Sequence, residues 1–130
     1  MTFDPRSIGK PVYEAFKELR GDRTKDDPLV KKQKSQAVEL YTYLSTWGLL
    51  RLKAEEIAMK EKKDMKGKLQ VIEKFFDCLE KLSERQNLGL DTLKSLDVSD
   101  YLGLTGLGLA IAQEFSFWVT AVYHDVKGED

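Results

Sequence analysis

Residues 99–123 read SDYLGLTGLGLAIAQEFSFWVTAVY, and the rest of the chain must pack around this stretch. Asp100 and Glu114 are its only ionised residues over 25 positions. A helix that is apolar on nearly every face belongs inside a protein or a membrane. Small side chains form a groove along one side of this helix, at Thr105, Gly108, Ala112 and Ser116. We therefore predict a central helix, N-capped by Ser99, that a second helix approaches closely.

Two other interpretations of this stretch fit the sequence less well. A membrane span needs about 20 apolar residues, and Gln113 and Glu114 interrupt the apolar run well before that length. A phosphate-binding loop at GLTGLG would need a preceding strand and a following lysine, and the sequence provides neither. We therefore predict no contact with a membrane.

The composition is that of one soluble domain. The chain has 130 residues, a net charge of −1 and 33% charged residues, which is enough length for a real core and typical of a globular protein. No run alternates apolar and polar residues as a half-buried strand would. We predict an all-α, single-domain bundle of about four to five helices around a buried C-terminal helix. The domain spans residues 1–130, with residues 1–10 and 126–130 as mobile tails.

The apolar spacing predicts two helices in the first half of the chain. Pro11 suits the first turn of a short helix, which ends near Gly21. A second helix begins near Leu29 and presents a buried stripe with 3-4 spacing. Gly48 either bends this helix or lies under a crossing helix, and the sequence supports both interpretations equally.

The second half of the chain begins with a polar segment. Residues 60–68 read KEKKDMKGK, which predicts an exposed helix end followed by a turn at Gly67. Residues 69–84 then predict an amphipathic third helix, and residues 91–96 predict one short helical turn. The first ten residues, MTFDPRSIGK, lack the apolar core of a signal peptide, so we expect a cytoplasmic protein.

The side chains that usually carry catalysis are sparse and isolated. Cys78 is the only cysteine, which excludes an intrachain disulfide and a cysteine zinc cluster, and its place on an apolar face predicts a small buried hydrophobe. His124 is the only histidine and has no metal-ligand pattern near it. The carboxylates alternate with lysine as on a solvated helix face. We predict no enzyme activity, no catalytic residues, no metal and no cofactor.

The near-neutral net charge hides an asymmetry along the chain. Residues 1–28 are neutral, residues 29–68 carry +5, and residues 69–130 carry −6. A basic middle segment can present a positive face to a polyanion. It can also meet the acidic segment of another copy of the chain, or simply consist of solvated helix faces that differ in charge.

Three segments resemble the small helical subunit of type III-B CRISPR effector complexes, the fifth subunit of the Cmr complex. They are LYTYLSTWGLLRLKAEEI (40–57), LQVIEKFFDCLEKLSE (69–84) and LKSLDVSDYLGLTGLGLAIAQEFSFW (93–118). The last is similar to the family's ending at the following positions: Leu96-Asp97, Asp100-Tyr101, Thr105, Gly108-Leu109 and Trp118. The helix after Thr105 lacks the charged residues usual there, and Trp47 replaces a more common polar residue. The small subunit of the related Csm complexes is therefore an alternative.

The resemblance implies a non-catalytic protein of antiviral defence. Such subunits stack beside the guide–target RNA duplex with other subunits of the effector complex, and they would contact RNA weakly, through phosphate. The candidate RNA contacts are the basic residues of the middle segment: Lys31, Lys32, Lys34, Arg51, Lys53, Lys60 and Lys63. The competing hypothesis is a helical protein–protein adaptor, or a self-associating protein, without RNA contact.

Overall fold

The computed structural model describes residues 6–127, and within that range every regular element is helical. The helices are α1 (Arg6–Arg20), α2 (Pro28–Met59), α3 (Lys66–Ser83), α4 (Leu90–Ser95) and α5 (Val98–Val122). A short 3-10 turn, Lys63–Met65, precedes α3. This architecture confirms the prediction of an all-α bundle with a C-terminal helix packed against the others.

The centre of the bundle is the inner side of α5. Phe115 of α5 contacts Phe16 of α1 and Phe75 of α3, with ring centroids 4.9 and 5.9 Å apart. A Cβ atom at Gly108 would lie 3.2 Å from the Leu49 side chain and 3.4 Å from the Phe75 ring. The close approach predicted for the groove of small residues is therefore confirmed at Gly108, where both α2 and α3 reach α5.

Helix α2 runs antiparallel to α5 along its first half. At one end, the Tyr123 hydroxyl donates a hydrogen bond to the Gln33 side chain. At the other, the Leu50 backbone N–H donates to the Tyr101 hydroxyl over 3.0 Å. The start of α2 therefore lies beside the end of α5.

Gly48 bends α2 sharply, which decides between the two interpretations of this residue. Its backbone has φ 84° and ψ 175° within the span of the helix. Gly67 of α3 packs on the first turn of α2, where its Cβ would lie 2.6 Å from the Leu29 carbonyl oxygen. A straight α2 would end about 40 Å from Lys32, and the residues from Met59 to Gly67 span at most about 28 Å. The chain must therefore turn back at Gly48.

We expect Gly48→Ala to destabilise the protein by about 1–3 kcal/mol, because residues with a Cβ rarely adopt this backbone conformation. The nearest atom to an added Cβ is the Tyr101 hydroxyl oxygen at 3.5 Å, so the cost arises in the backbone. Asparagine tolerates the left-handed helical region but not this one, so Gly48→Asn should not restore stability. Urea unfolding measures both variants.

The matched control for Gly48 is Gly89→Ala. Gly89 has φ −85° and no atom within 4 Å of its Cβ position, so alanine meets no clash and costs at most about 1 kcal/mol, for the loss of a glycine N-cap of α4. Equal stability of the Gly48 and Gly89 variants would contradict the bend.

Parts of the two predicted tails pack against the bundle. Helix α1 begins at Arg6 and includes Pro11, so the prediction of an irregular segment is wrong for residues 6–10. Ile8 is buried there, one turn before Val12 on the same apolar stripe. Val126 is also buried, and its backbone N–H donates to the Tyr123 carbonyl over 2.9 Å. Residues 1–5 and 128–130 lie outside the described residues.

Two local predictions at helix ends are also wrong. The N-cap of α5 is Asp97 rather than Ser99, because the Asp97 carboxylate accepts a hydrogen bond from the Asp100 N–H over 2.8 Å. Gly67 does not form a loop turn between helices. It is the second residue of helix α3, where it is buried. A glycine there permits the contact between α3 and α2.

Helix α5 is buried on one side only. It has the length and hydropathy of a membrane span, which the core helices of soluble proteins also have, and 33% of its most apolar stretch is buried. Three large apolar side chains of α5 are well exposed: Val98 at 75%, Leu102 at 62% and Phe117 at 58%. The expectation that all its faces are enclosed is therefore wrong for this outer side.

Candidate nucleic-acid interface

The reversal at Gly48 gathers lysines from both ends of α2 at one end of the bundle. Gly67 packs against Leu29 and Lys32, where its Cβ would lie 2.9 Å from the Lys32 Cβ. Gly67 therefore lies beside the first turns of α2, and the segment 60–66 leads up to this contact. We call this cluster the basic end, and its lysines are Lys31, Lys32, Lys60, Lys62, Lys63, Lys66 and Lys68.

The basic end is accessible to solvent and predominantly positive. Its residues between Lys60 and Lys66 are exposed, apart from a half-buried Met65, and Lys31 and Lys32 are half-buried. Two carboxylates, Glu61 and Asp64, lie within the segment against its five lysines. The lysines outnumber these carboxylates, so the surface attracts anions.

Lys34 holds the end of α5 in place. Its ammonium group donates hydrogen bonds to the backbone carbonyls of Tyr123 and Val126, at 3.3 and 2.5 Å. A cation at the C-terminal end of a helix also interacts favourably with the helix dipole. Phosphate binding by Lys34 would have to compete with these bonds.

Lys53 is engaged inside a groove rather than on an open surface. Its ammonium nitrogen lies 2.9 Å from a Glu56 carboxylate oxygen, and the two side chains are only 12% and 7% exposed. The same nitrogen lies 3.8 Å from the centroid of the Phe76 ring. The groove encloses about 560 Å³ and is also lined by Glu73 and Asp77, so its carboxylates disfavour a phosphate.

Arg51 lies outside the basic end, near the bend. Its guanidinium carbon is 4.2 Å from the centroid of the Trp47 ring, a cation–π contact at a solvent-exposed site. Trp47 is itself 51% exposed. Arg51 is thus available to a partner, but it does not belong to the basic end.

Of the seven candidate residues, Lys32 packs against Gly67 and Lys31 precedes it on α2, while Lys60 and Lys63 lie in the segment that leads to Gly67. Sequence analysis missed Lys62, Lys66 and Lys68, which belong to the same cluster. The dense run of lysines in KEKKDMKGK was the available signal, but only the contact of Gly67 with α2 joins that run to the start of α2.

The other side chains that could take part in catalysis or metal binding are buried or isolated. Cys78 is buried, as predicted, and burial raises the pKa of its thiol to about 11, so little of it is the nucleophilic thiolate near neutral pH. His124 is exposed beyond the end of α5. Among residues 6–127, no group of three or more histidine, cysteine or acidic side chains is arranged to hold a metal ion.

Comparisons of the chain with models of protein families, with curated proteins and with solved structures find no match. The class of protein must therefore be argued from the molecule itself. It is an all-α bundle with a lysine-rich end and an apolar outer helix face.

Proposed function

We propose that this chain is a non-catalytic structural subunit of an RNA-guided CRISPR effector complex of type III-B. In this proposal the basic end contacts phosphate groups of the guide–target RNA duplex. The observation that carries the proposal is the contact of Gly67 with Leu29 and Lys32, which joins the lysine-rich segment 60–68 to the start of α2. The sequence resemblance to the small subunits of these complexes supports it independently.

The chemistry of the basic end suits phosphate rather than base recognition. A lysine ammonium is a compact point charge on a flexible stem, whereas bases are recognised by planar groups that form paired hydrogen bonds. Phosphate contacts act through the release of counterions, so binding is independent of sequence and sensitive to salt. The subunit would therefore support any guide–target duplex.

A single copy should bind RNA weakly. The net charge of the chain is −1, so the positive field of the basic end is offset at a distance by acidic residues elsewhere. Several copies along one duplex would each add a few contacts, and their combined affinity would exceed that of one copy. The partners in this proposal are thus the other effector subunits and the guide–target RNA, in the cytoplasm.

We expect the triple variant Lys31→Glu, Lys60→Glu and Lys63→Glu to reduce binding of target RNA by the assembled complex at least tenfold at low salt. Losing three phosphate contacts should also reduce the slope of log K against log salt by about 2 to 3 per copy. Fluorescence anisotropy over a salt series measures both quantities. Lys34 and Lys53 are left unchanged, because their internal contacts stabilise the fold.

The matched control replaces three exposed lysines outside the basic end by glutamate, namely Lys17, Lys81 and Lys94. The net charge change is the same, so this variant should bind RNA almost as well as the unmodified complex. Equal weakening by both variants would mean that net charge alone matters and would overturn the assignment of the basic end. Unchanged binding by both would favour an adaptor.

The adaptor hypothesis is the second candidate, and a different observation favours it. Val98, Leu102 and Phe117 expose apolar surface along α5, which is typical of protein–protein contact when it is contiguous. A helical adaptor or homo-oligomer without RNA contact would use this surface instead of the basic end.

A further inference from the structure

The outer face of α5 is an uncharged strip on an otherwise highly charged chain. At 100° per residue, five residues fall on the same side of the helix, namely Leu102, Gly106, Leu109, Gln113 and Phe117. Glu114 is the only ionised residue between Tyr101 and Tyr123. Its carboxylate lies on the flank, beside Gly9 of α1, where a Cβ would be 3.0 Å from it.

Within the described chain this strip is uncovered at Gly106, whereas Leu109 at its middle is half-buried against the core. Glycine is unfavourable relative to alanine in a helix interior, and a Cβ at either Gly103 or Gly106 would meet no atom of the described chain within 4 Å. The absence of side chains there lets another helix approach the backbone of α5 closely.

The charges at the two ends of the strip indicate what covers it. At its N-terminal end Asp97 and Asp100 are exposed, and an Arg85 nitrogen lies 3.6 Å from the Asp100 carboxylate. At its C-terminal end Lys127 is exposed, and the Asp125 carboxylate is paired with Arg20. A second copy of α5 lying parallel would place like charges together at each end. A copy lying antiparallel would place the Asp97 carboxylate near the Lys127 ammonium group at both ends.

We propose that the chain forms a two-fold symmetric dimer in which the outer faces of two α5 helices pack antiparallel. Such an interface is isologous, so each contact occurs twice. With the two-fold axis near Leu109 and Ala110, Leu102 of one copy meets Phe117 of the other. Gln113 then lies over Gly106, where the open backbone provides room for its amide.

This pairing does not rest on RNA contact. The basic end lies at the start of α2 and the outer face lies along α5, so one surface can fail experimentally while the other is retained. The dimer also differs from stacking of copies along a duplex, because an isologous contact closes after two subunits.

Single cysteines test the direction and register of the pairing. Cys78 is buried and is first replaced by serine. A disulfide requires the two Cα atoms to lie within about 7 Å. Under mild oxidation, Ala110→Cys should therefore form a cross-linked dimer with itself. Leu102→Cys and Phe117→Cys should each remain without a cross-link alone but should cross-link when the two variants are mixed.

Charge insertion tests whether the face carries the association. Leu102→Glu and Phe117→Glu change exposed side chains, so the fold should persist by circular dichroism, while each should raise the dimer dissociation constant at least tenfold in sedimentation velocity. The matched control is Ile57→Glu, which alters an apolar side chain of α2 that is 45% exposed and should leave the dimer intact.

Three outcomes would overturn the proposal. One is a monomer at all concentrations with no cross-link at Ala110→Cys. Another is self-cross-linking of Leu102→Cys and Phe117→Cys, which would indicate parallel pairing. A third is flotation of the protein with vesicles of phosphatidylcholine and phosphatidylglycerol that Phe117→Glu abolishes, since the strip would then bind a membrane.

Discussion

Replacing Gly67 by alanine is expected to destabilise the protein by about 3 kcal/mol. The added Cβ would lie 2.6 Å from the Leu29 carbonyl oxygen and 2.9 Å from the Lys32 Cβ. The first of these atoms belongs to the backbone and the second is attached to it, so neither moves away as a flexible side-chain tip would. Either α3 shifts away from α2, or the backbone at the start of α2 deforms. Urea unfolding followed by circular dichroism measures the loss.

Replacing Gly103 by alanine should instead raise the free energy of unfolding. Gly103 is exposed inside α5 and has no atom within 4 Å of its Cβ position, so alanine should stabilise the helix by up to about 1 kcal/mol. The pair separates the cost of the contact from the usual gain of alanine over glycine. If Gly67→Ala also stabilised the protein, α3 would not pack on the start of α2, and the basic end would not be assembled.

The Gly67 contact illustrates why the fold was predictable in outline but not in its details. The uncharged stretch that forms α5 and the apolar spacing of α2 and α3 depend on residues near in sequence, and they predicted an all-α bundle. The path of α2 depends on the backbone of Gly48 and on a contact between Leu29 and Gly67. Glycine is compatible with a bend, a turn or a close contact, so its presence alone did not distinguish them.

The candidate site was predictable to a similar extent. Composition located an excess of basic residues between 29 and 68, but it treated Lys34 and Lys53 like their neighbours. The partner of Lys34, the Val126 carbonyl, becomes visible only once the helices pack. Glu56 follows Lys53 by three residues on the same helix, a spacing at which side chains pair, but only packing shows that this pair is buried. The outer face of α5 was missed for the opposite reason, since a uniformly apolar helix gives no sequence signal for which side is buried.

A second large effect is expected at Gln33, which is fully buried and joins three other parts of the chain. Its amide nitrogen donates to the Gln70 side chain over 2.9 Å and to the Leu19 carbonyl over 3.4 Å. Its amide oxygen accepts from the Tyr123 hydroxyl over 2.5 Å. Gln33 therefore connects α2 to α3, to α1 and to the end of α5, close to the basic end.

We expect Gln33→Leu to destabilise the protein by about 3 kcal/mol, because it leaves the buried Tyr123 hydroxyl without its acceptor and removes the bond to Gln70. Burial raises the pKa of Tyr123 above its usual range, so the hydroxyl keeps its proton and this bond persists through neutral and mildly alkaline pH. The control, Gln86→Leu, changes an exposed glutamine and should alter the unfolding free energy by less than about 0.5 kcal/mol.

A double-mutant cycle with Tyr123→Phe tests whether the loss arises in this hydrogen bond. Tyr123→Phe alone leaves the Gln33 amide oxygen unpaired and should cost about 1–3 kcal/mol. In Gln33→Leu combined with Tyr123→Phe both polar groups are absent, so the double variant should be more stable than the sum of the single losses predicts, by about 1–2 kcal/mol. Losses that simply add would mean that the two side chains do not interact. The end of α5 would then be held by the bonds from Lys34, by those from Arg20 to the Val122 carbonyl and Asp125, and by apolar packing.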